Sequence, residues 1–255
     1  MAFADSFDYQ TLWSLLARVG ESHRFVRFTD LASGQPAEPF CILRHDVDYR
    51  LDSAVALARE ESARGIYATY FLLVNSTYYN LLAPPHAHVP SALVDLGHEV
   101  GLHYDVRSLH PFPRERWDRL LDAQAALLEE LSGRPIASVA MHQPGLHGDD
   151  PFRQTTRYLN AYADRFTKDM PYISDSCRAW RDIAWRVLAD GPLPPRLQLA
   201  LHPINWADED RDRFTIFREM HLDLANAVLS EGEDLLAKIA VHPAVVEHNA
   251  RTAGS

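Results

Sequence analysis

A chain of 255 residues, 47% hydrophobic and 24% charged, carries enough apolar mass for one large core, and its length suits one α/β barrel. Its formal charge of −10, with no Lys/Arg-rich run, argues against nucleic acid and anionic membrane as partners. Only Cys41 and Cys177 occur, too few for a disulfide framework, and no apolar run approaches the length of a membrane span. The first ten residues carry Asp5 and Asp8 and no basic segment leading into an apolar stretch, so no secretory signal is read and the cytoplasm is the expected compartment.

Tyr9 to Val19 reads as an amphipathic helix, with Leu12, Leu15, Leu16 and Val19 on one face. Arg24 to Phe28 alternates as a strand does. Phe40-Cys41-Ile42-Leu43 is an unbroken apolar run, the pattern of a strand buried on both faces in a parallel sheet. Leu51 to Ala63 is a helix closed by Gly65. Ile66 to Val74 is a second buried strand, and Glu99 to His103 a short third one. Arg114 to Leu131 is the clearest helix, with Trp117, Leu120, Leu121, Leu127, Leu128 and Leu131 in one stripe before Ser132-Gly133 ends it. Ile136 to Met141 makes a fourth strand, Tyr172-Ile173 part of a fifth, and Leu197 to Leu201 the last. A mostly polar helix is predicted from about Ala207 to Ala240, then a loosely ordered tail from Ala244 to Ser255. This alternation predicts a largely parallel α/β architecture in a single domain over residues 1–255.

Four of these strands end in chemistry. Behind Leu43 come Arg44-His45-Asp46-Val47-Asp48; the third strand ends in His103, the fourth in His142 and the last in His202. Ligands of parallel α/β sheets bind at the C-terminal strand ends, so neighbouring strands would bring these groups to one rim. Asp46 and Asp48 are two apart and share a face, where two carboxylates repel unless a cation or a proton separates them. Imidazole with carboxylate is the ligand set of Zn²⁺, or of Fe²⁺, Co²⁺ and Ni²⁺, and such a metal activates water and polarises a carbonyl. A second carboxylate that does not ligate is then available as a base. Against this stands the ordinary reading of each group: two solvated acids in a turn, and histidines packed in a core.

The blocks Arg44–Asp48 and Gly97–His103 resemble the polysaccharide deacetylase superfamily (NodB homology, carbohydrate esterase 4), in its intracellular Arg-His-Asp-Val-Asp branch. The resemblance runs from about Phe40 to Trp206. It implies a distorted (β/α) barrel with fewer than eight strands. It also implies that Asp46 is the catalytic base, that Asp48 and His103 ligate the metal, and that His202 is the general acid, supported by Asp175. The family has a second ligating histidine four residues beyond the first. Here that place holds Arg107, whose protonated guanidinium has no lone pair to donate. His142 stands where the family has an arginine that orients the base. Because His142 ends the strand after the His103 unit, Asp48, His103 and His142 are the predicted ligands, with Asp105 or His202 as the alternative third.

The expected activity is a metal-dependent amide hydrolase that removes an N-acyl group, acetyl in the first instance, from a small amino-sugar or aminoglycoside-type substrate. Zinc is the expected metal, with iron, cobalt or nickel as alternatives, and antibiotic biosynthesis is the setting by analogy. Two other classes stay open: a carbohydrate O-acetyl esterase using the same site, and a binding relative that has lost activity. The LmbE-like deacetylase fold is disfavoured because its Pro-His-x-Asp-Asp signature is absent. Arg44 and Trp206 are expected at the substrate, Arg44 clamping an anion or Asp46, and Trp206 with Tyr78, Tyr79 and Trp180 forming a sugar floor or merely capping the core. His98 is expected to be structural.

Overall fold

The computed structural model describes residues 6–32, 34, 36–179 and 187–246; Trp180, the first five residues and the predicted tail beyond 246 lie outside them. The chain divides into two compact units, Met1–Asp210 and Arg211–Ser255.

The first unit is built on a parallel sheet. Its strands are β1 (Arg24–Val26), β2 (Phe40–Val47), β3 (Thr69–Leu73), β4 (Glu99–Tyr104), β5 (Ser138–Met141), β6 (Leu159–Asn160), β7 (Tyr172–Ser174) and β8 (Arg196–Leu201). Seven follow one path, β6-β5-β4-β3-β2-β8-β7, a curled sheet that matches the distorted barrel the resemblance implies, with an eighth strand off the path. β1 lies off the path and pairs with the start of β2, Arg24 opposite Phe40, while β3 takes over from Arg44 onward. The sheet curls back on itself. Gln198 of β8 donates to the carbonyls of Ala161 (3.2 Å) and Phe166 (2.8 Å), just beyond β6.

The period of two decides what each strand residue meets. In β2, Phe40 and Ile42 pack inside the curl with Val26, Phe28, Phe71, Ala140 and Phe166. Cys41, Leu43 and Val47 face the other way and join the larger core under the helices. That outer core takes the buried faces of α1 (Tyr9–Gly20), α2 (Leu51–Ala63) and α4 (Trp117–Ser132). Asp8 caps α1 by accepting from the Thr11 N–H at 2.6 Å. Gly133, at φ 67°, ends α4 in the left-handed conformation that glycine adopts without strain.

Several boundaries differ from expectation. Arg114–Arg116 form a tighter 3₁₀ turn, so α4 begins at Trp117. The strand from Arg24 stops at Val26. Sequence periodicity missed α3 (Val89–Asp95), where Pro90 occupies the first turn, a position that tolerates the lost N–H. It also missed α5 (Pro144–His147), α6 (Asp164–Thr167) and β6, each too short to carry a period.

The second unit holds α7 (Arg213–Ala240). It starts later than Ala207 because Asp212 caps it, accepting from the Thr215 N–H at 3.0 Å. Every residue from 221 to 244 is exposed, large aliphatic side chains among them.

Candidate active site

Three strand ends converge on one point. Asp48 directly follows β2, His103 lies in β4 and His142 directly follows β5. The Asp48 Oδ1 is 3.1 Å from His103 Nε2 and 3.1 Å from His142 Nδ1, and the two imidazole nitrogens are 3.2 Å apart. All three residues are buried. His103 Nδ1 lies 2.9 Å from the Ala140 carbonyl, which only accepts, so Nδ1 carries the proton and Nε2 presents its lone pair to the others. A carboxylate oxygen and an imidazole lone pair at this distance repel unless a positive charge sits between them. A tetrahedral zinc holding ligands at about 2.0–2.1 Å separates its ligand atoms by about 3.3–3.4 Å, close to the edges of this triangle. The donor set fits a divalent metal.

The other two candidate ligands are engaged elsewhere. Both Asp105 oxygens bind Arg107, whose Nε lies 3.0 Å from Oδ1 and whose Nη2 lies 2.5 Å from Oδ2. His202, just past β8, has Nδ1 2.6 Å from Asp175 Oδ1. Asp175 is completely buried and accepts three hydrogen bonds: from His202 Nδ1, from the His202 backbone N–H (3.1 Å) and from Trp206 Nε1 (2.9 Å). This fixes the ring and turns Nε2 toward the triangle, 3.9 Å from Asp48 Oδ2. Burial opposes the imidazolium, but Asp175, Asp48 and Asp46 outweigh it and push His202 up to about 10.

Asp46, on the same face as Asp48, is 2% exposed; its Oδ2 lies 3.2 Å from Arg44 Nη2 and its Oδ1 meets no donor among the described residues. Arg44 is wholly buried in an aromatic cage, 4.5 Å from the Tyr162 ring centroid and 5.6 Å from those of Phe71 and Tyr172. Its Nη2 also donates to the hydroxyls of Tyr162 (2.7 Å) and Tyr172 (3.4 Å).

Solved structures share this arrangement of strands in outline. The chain is similar to the Xyl-CE4 domain of a multidomain xylanase from the hindgut metagenome of Trinervitermes trinervoides, at 14% identity and TM-score 0.47, covering 81% of this chain and 94% of that one. It is similar to peptidoglycan deacetylase PdaC from Bacillus subtilis, at 14% identity and TM-score 0.47, covering 80% and 98%. It is also similar to BA3943, a CE4 family pseudoenzyme from Bacillus anthracis, at 14% identity and TM-score 0.43, covering 76% of this chain but only 63% of that one. No protein-family model matches the sequence, and no curated protein does. At these values the likeness says nothing of the chemistry, which rests on the side chains themselves.

Arg44 has no exposed surface and holds Asp46 and two tyrosines, the clamp on Asp46 being one of the two readings its sequence position allowed. Trp206 is 3% exposed, donates its indole N–H to Asp175 at 2.9 Å and packs on Phe7 at 5.2 Å. Tyr79 likewise caps the core, donating from its hydroxyl to the Val47 carbonyl at 2.7 Å. His98 is structural as expected: Nε2 donates to the Ala58 carbonyl (2.9 Å) and Nδ1 accepts from the Ala68 N–H (3.2 Å). Sequence reasoning missed Tyr162 and Tyr172 as partners of Arg44, which stand 118 and 128 residues away, with no motif to mark them. It also missed Glu61, which binds His45 at 2.7 Å on the opposite side of β2.

Proposed function

We propose that this chain is a metal-dependent hydrolase that removes an N-acetyl group from a small amino-sugar-type substrate. The observation that carries this reading is the triangle of Asp48, His103 and His142, with the Arg44-held carboxylate of Asp46 on one side and an Asp-supported histidine on the other. A divalent metal held by these three, zinc by the character of the donors, supplies Lewis acidity toward an acyl oxygen and lowers the pKa of water. Asp46, steadied by Arg44 through one oxygen, takes the proton of the attacking water on the other. Water oxygen bonds to the acyl carbon, the C–N bond breaks, and His202 Nε2 delivers its proton to the departing nitrogen. Asp175 keeps His202 in the tautomer and orientation that this needs. The products are acetate and a free amine. The recess of the site, with Asp46, Asp48, His103 and His142 all under a tenth exposed, suits a substrate that reaches in with an acyl group.

The test is acetate release by the metal-loaded chain from four substrates: soluble N-acetylated amino sugars and glycosides, chitin, peptidoglycan, and O-acetylated xylan. Release from the soluble amides is the expected result. Release from an insoluble polymer alone overturns the substrate class, release from the ester alone makes the protein an esterase, and no release from any makes it a binding relative.

A further inference from the structure

Among the described residues, Nε and Nη1 of Arg44 are buried and meet no hydrogen-bond partner, so every hydrogen bond of this guanidinium passes through Nη2. Nη2 carries two hydrogens and faces three acceptors: the Tyr162 hydroxyl at 2.7 Å, Asp46 Oδ2 at 3.2 Å and the Tyr172 hydroxyl at 3.4 Å. The distances decide how the two hydrogens are shared. One goes to Tyr162 and the other to Asp46, with Tyr172 at the margin. The two N–H bonds diverge at a fixed angle in the guanidinium plane, so anchoring one aims the other. The aromatic cage does not set this aim, because attraction to a ring face depends on distance from the centroid and tolerates rotation of the cation in its own plane.

The Tyr162 hydroxyl is itself a fixed point. The Tyr162 backbone N–H donates to Asn160 Oδ1 at 2.8 Å, and Asn160 Nδ2 donates in turn to Asp150 Oδ2 at 2.8 Å. On the other side, the completely buried Gln198 clamps the carbonyls of Ala161 and Phe166, which flank the tyrosine. We propose that Tyr162 is a positioning residue: its hydroxyl turns Arg44 so that Nη2 holds Asp46 Oδ2 and leaves Oδ1 for the attacking water. This rests on the reading of Asp46 as the base.

Tyr162→Phe keeps the ring of the cage and removes only the anchor. With the metal-loaded chain and a soluble N-acetylated amino sugar, kcat should fall about ten-fold, the effect of one hydrogen bond, with KM within about two-fold of wild type and metal content unchanged. Tyr172→Phe should lose less, about two-fold, because its contact is longer. In Asp46→Asn, where no base is left to aim, Tyr162→Phe should lower kcat no further. An unchanged kcat in Tyr162→Phe, a loss confined to KM, or a loss that multiplies with that of Asp46→Asn would each overturn the proposal. The second would make Tyr162 a substrate contact and the third a general support of the fold. A crystal structure of Tyr162→Phe gives a readout that needs no substrate. Arg44 Nη2 should move beyond ~3.5 Å from Asp46 Oδ2, and a contact kept as in wild type would refute the anchor. If the wild type releases acetate from no substrate, the proposed function falls, and the crystal structure still decides the anchor.

Discussion

The two aspartates of β2 differ in what they touch, and this separates their effects on substitution. Asp48 meets both imidazoles, whereas Asp46 meets Arg44. Asp46→Asn should keep its metal and lose two to four orders of magnitude in kcat, and Asp48→Asn should lose metal, as measured by metal analysis beside turnover. His142→Ala and His103→Ala should lose metal equally, while His202→Ala keeps metal and loses rate; metal retained in His142→Ala would remove it from the ligand set. Arg44 gives a second prediction. Arg44→Met strands a buried carboxylate and should cost about 3–5 kcal/mol of stability, much of it recovered in Arg44→Met/Asp46→Asn because no unpaired charge then remains. Urea titration of the two variants measures the recovery. Much of this site is legible in the sequence, because Asp48, His103 and His142 close three strands and the period of two gives their faces. The clamp of Arg44 on Asp46 is legible too, but its partners Tyr162 and Tyr172 are not, since they come from distant segments brought near by the curl of the sheet.

Among elements, β4 shows how one strand serves both ends of the sheet. Its inward residues are Glu99, Gly101 and His103, in order from floor to rim. At the floor the Glu99 carboxylate accepts from Ser138 Oγ (2.7 Å), Thr69 Oγ1 (2.7 Å) and the Thr29 N–H (2.8 Å). Burial nonetheless raises its pKa above the ordinary glutamate value. The folded pKa then lies above the unfolded one, so Glu99 contributes stability that is full below the unfolded pKa and is lost as pH rises through the folded pKa. Glu99→Gln keeps the geometry and removes this dependence. Its Tm advantage over wild type should be absent at pH 4 and grow toward pH 7, and an advantage independent of pH would refute the assignment. Gly101 is the middle rung: a Cβ there would lie 2.5 Å from the Phe71 ring and 2.8 Å from Ser138 Oγ. Gly101→Ala should therefore destabilise by about 1–3 kcal/mol through overpacking, read as an earlier thermal midpoint. The strong strands and α4 were legible because burial leaves long apolar patterns. β6 and α3 were not, since two residues carry no period and Pro90 reads as a break.

At the scale of the molecule, the candidate metal would tie together β2, β4 and β5, which no covalent link joins. Metal bound to the folded chain alone stabilises it by mass action, so zinc at ~1,000-fold excess over its Kd should raise Tm by on the order of 10 °C. Chelation should reverse the rise, and His103→Ala should show none. The sheet itself is open along one line: β6 and β7 end its path and share no ladder among the described residues. Side chains cross that gap instead, with Gln198 reaching the carbonyls of Ala161 and Phe166 and Arg44 reaching Tyr162 and Tyr172. The triangle stands on the far side of the curl, on continuously paired strands. Mild denaturation should therefore open the gap first, with amides of β6 and β7 exchanging ahead of those of β2 and β4. Arg44 would then release Asp46 while Asp48, His103 and His142 stayed in place. The first casualty of stress would be turnover, leaving a chain that still holds its ion and has fallen silent.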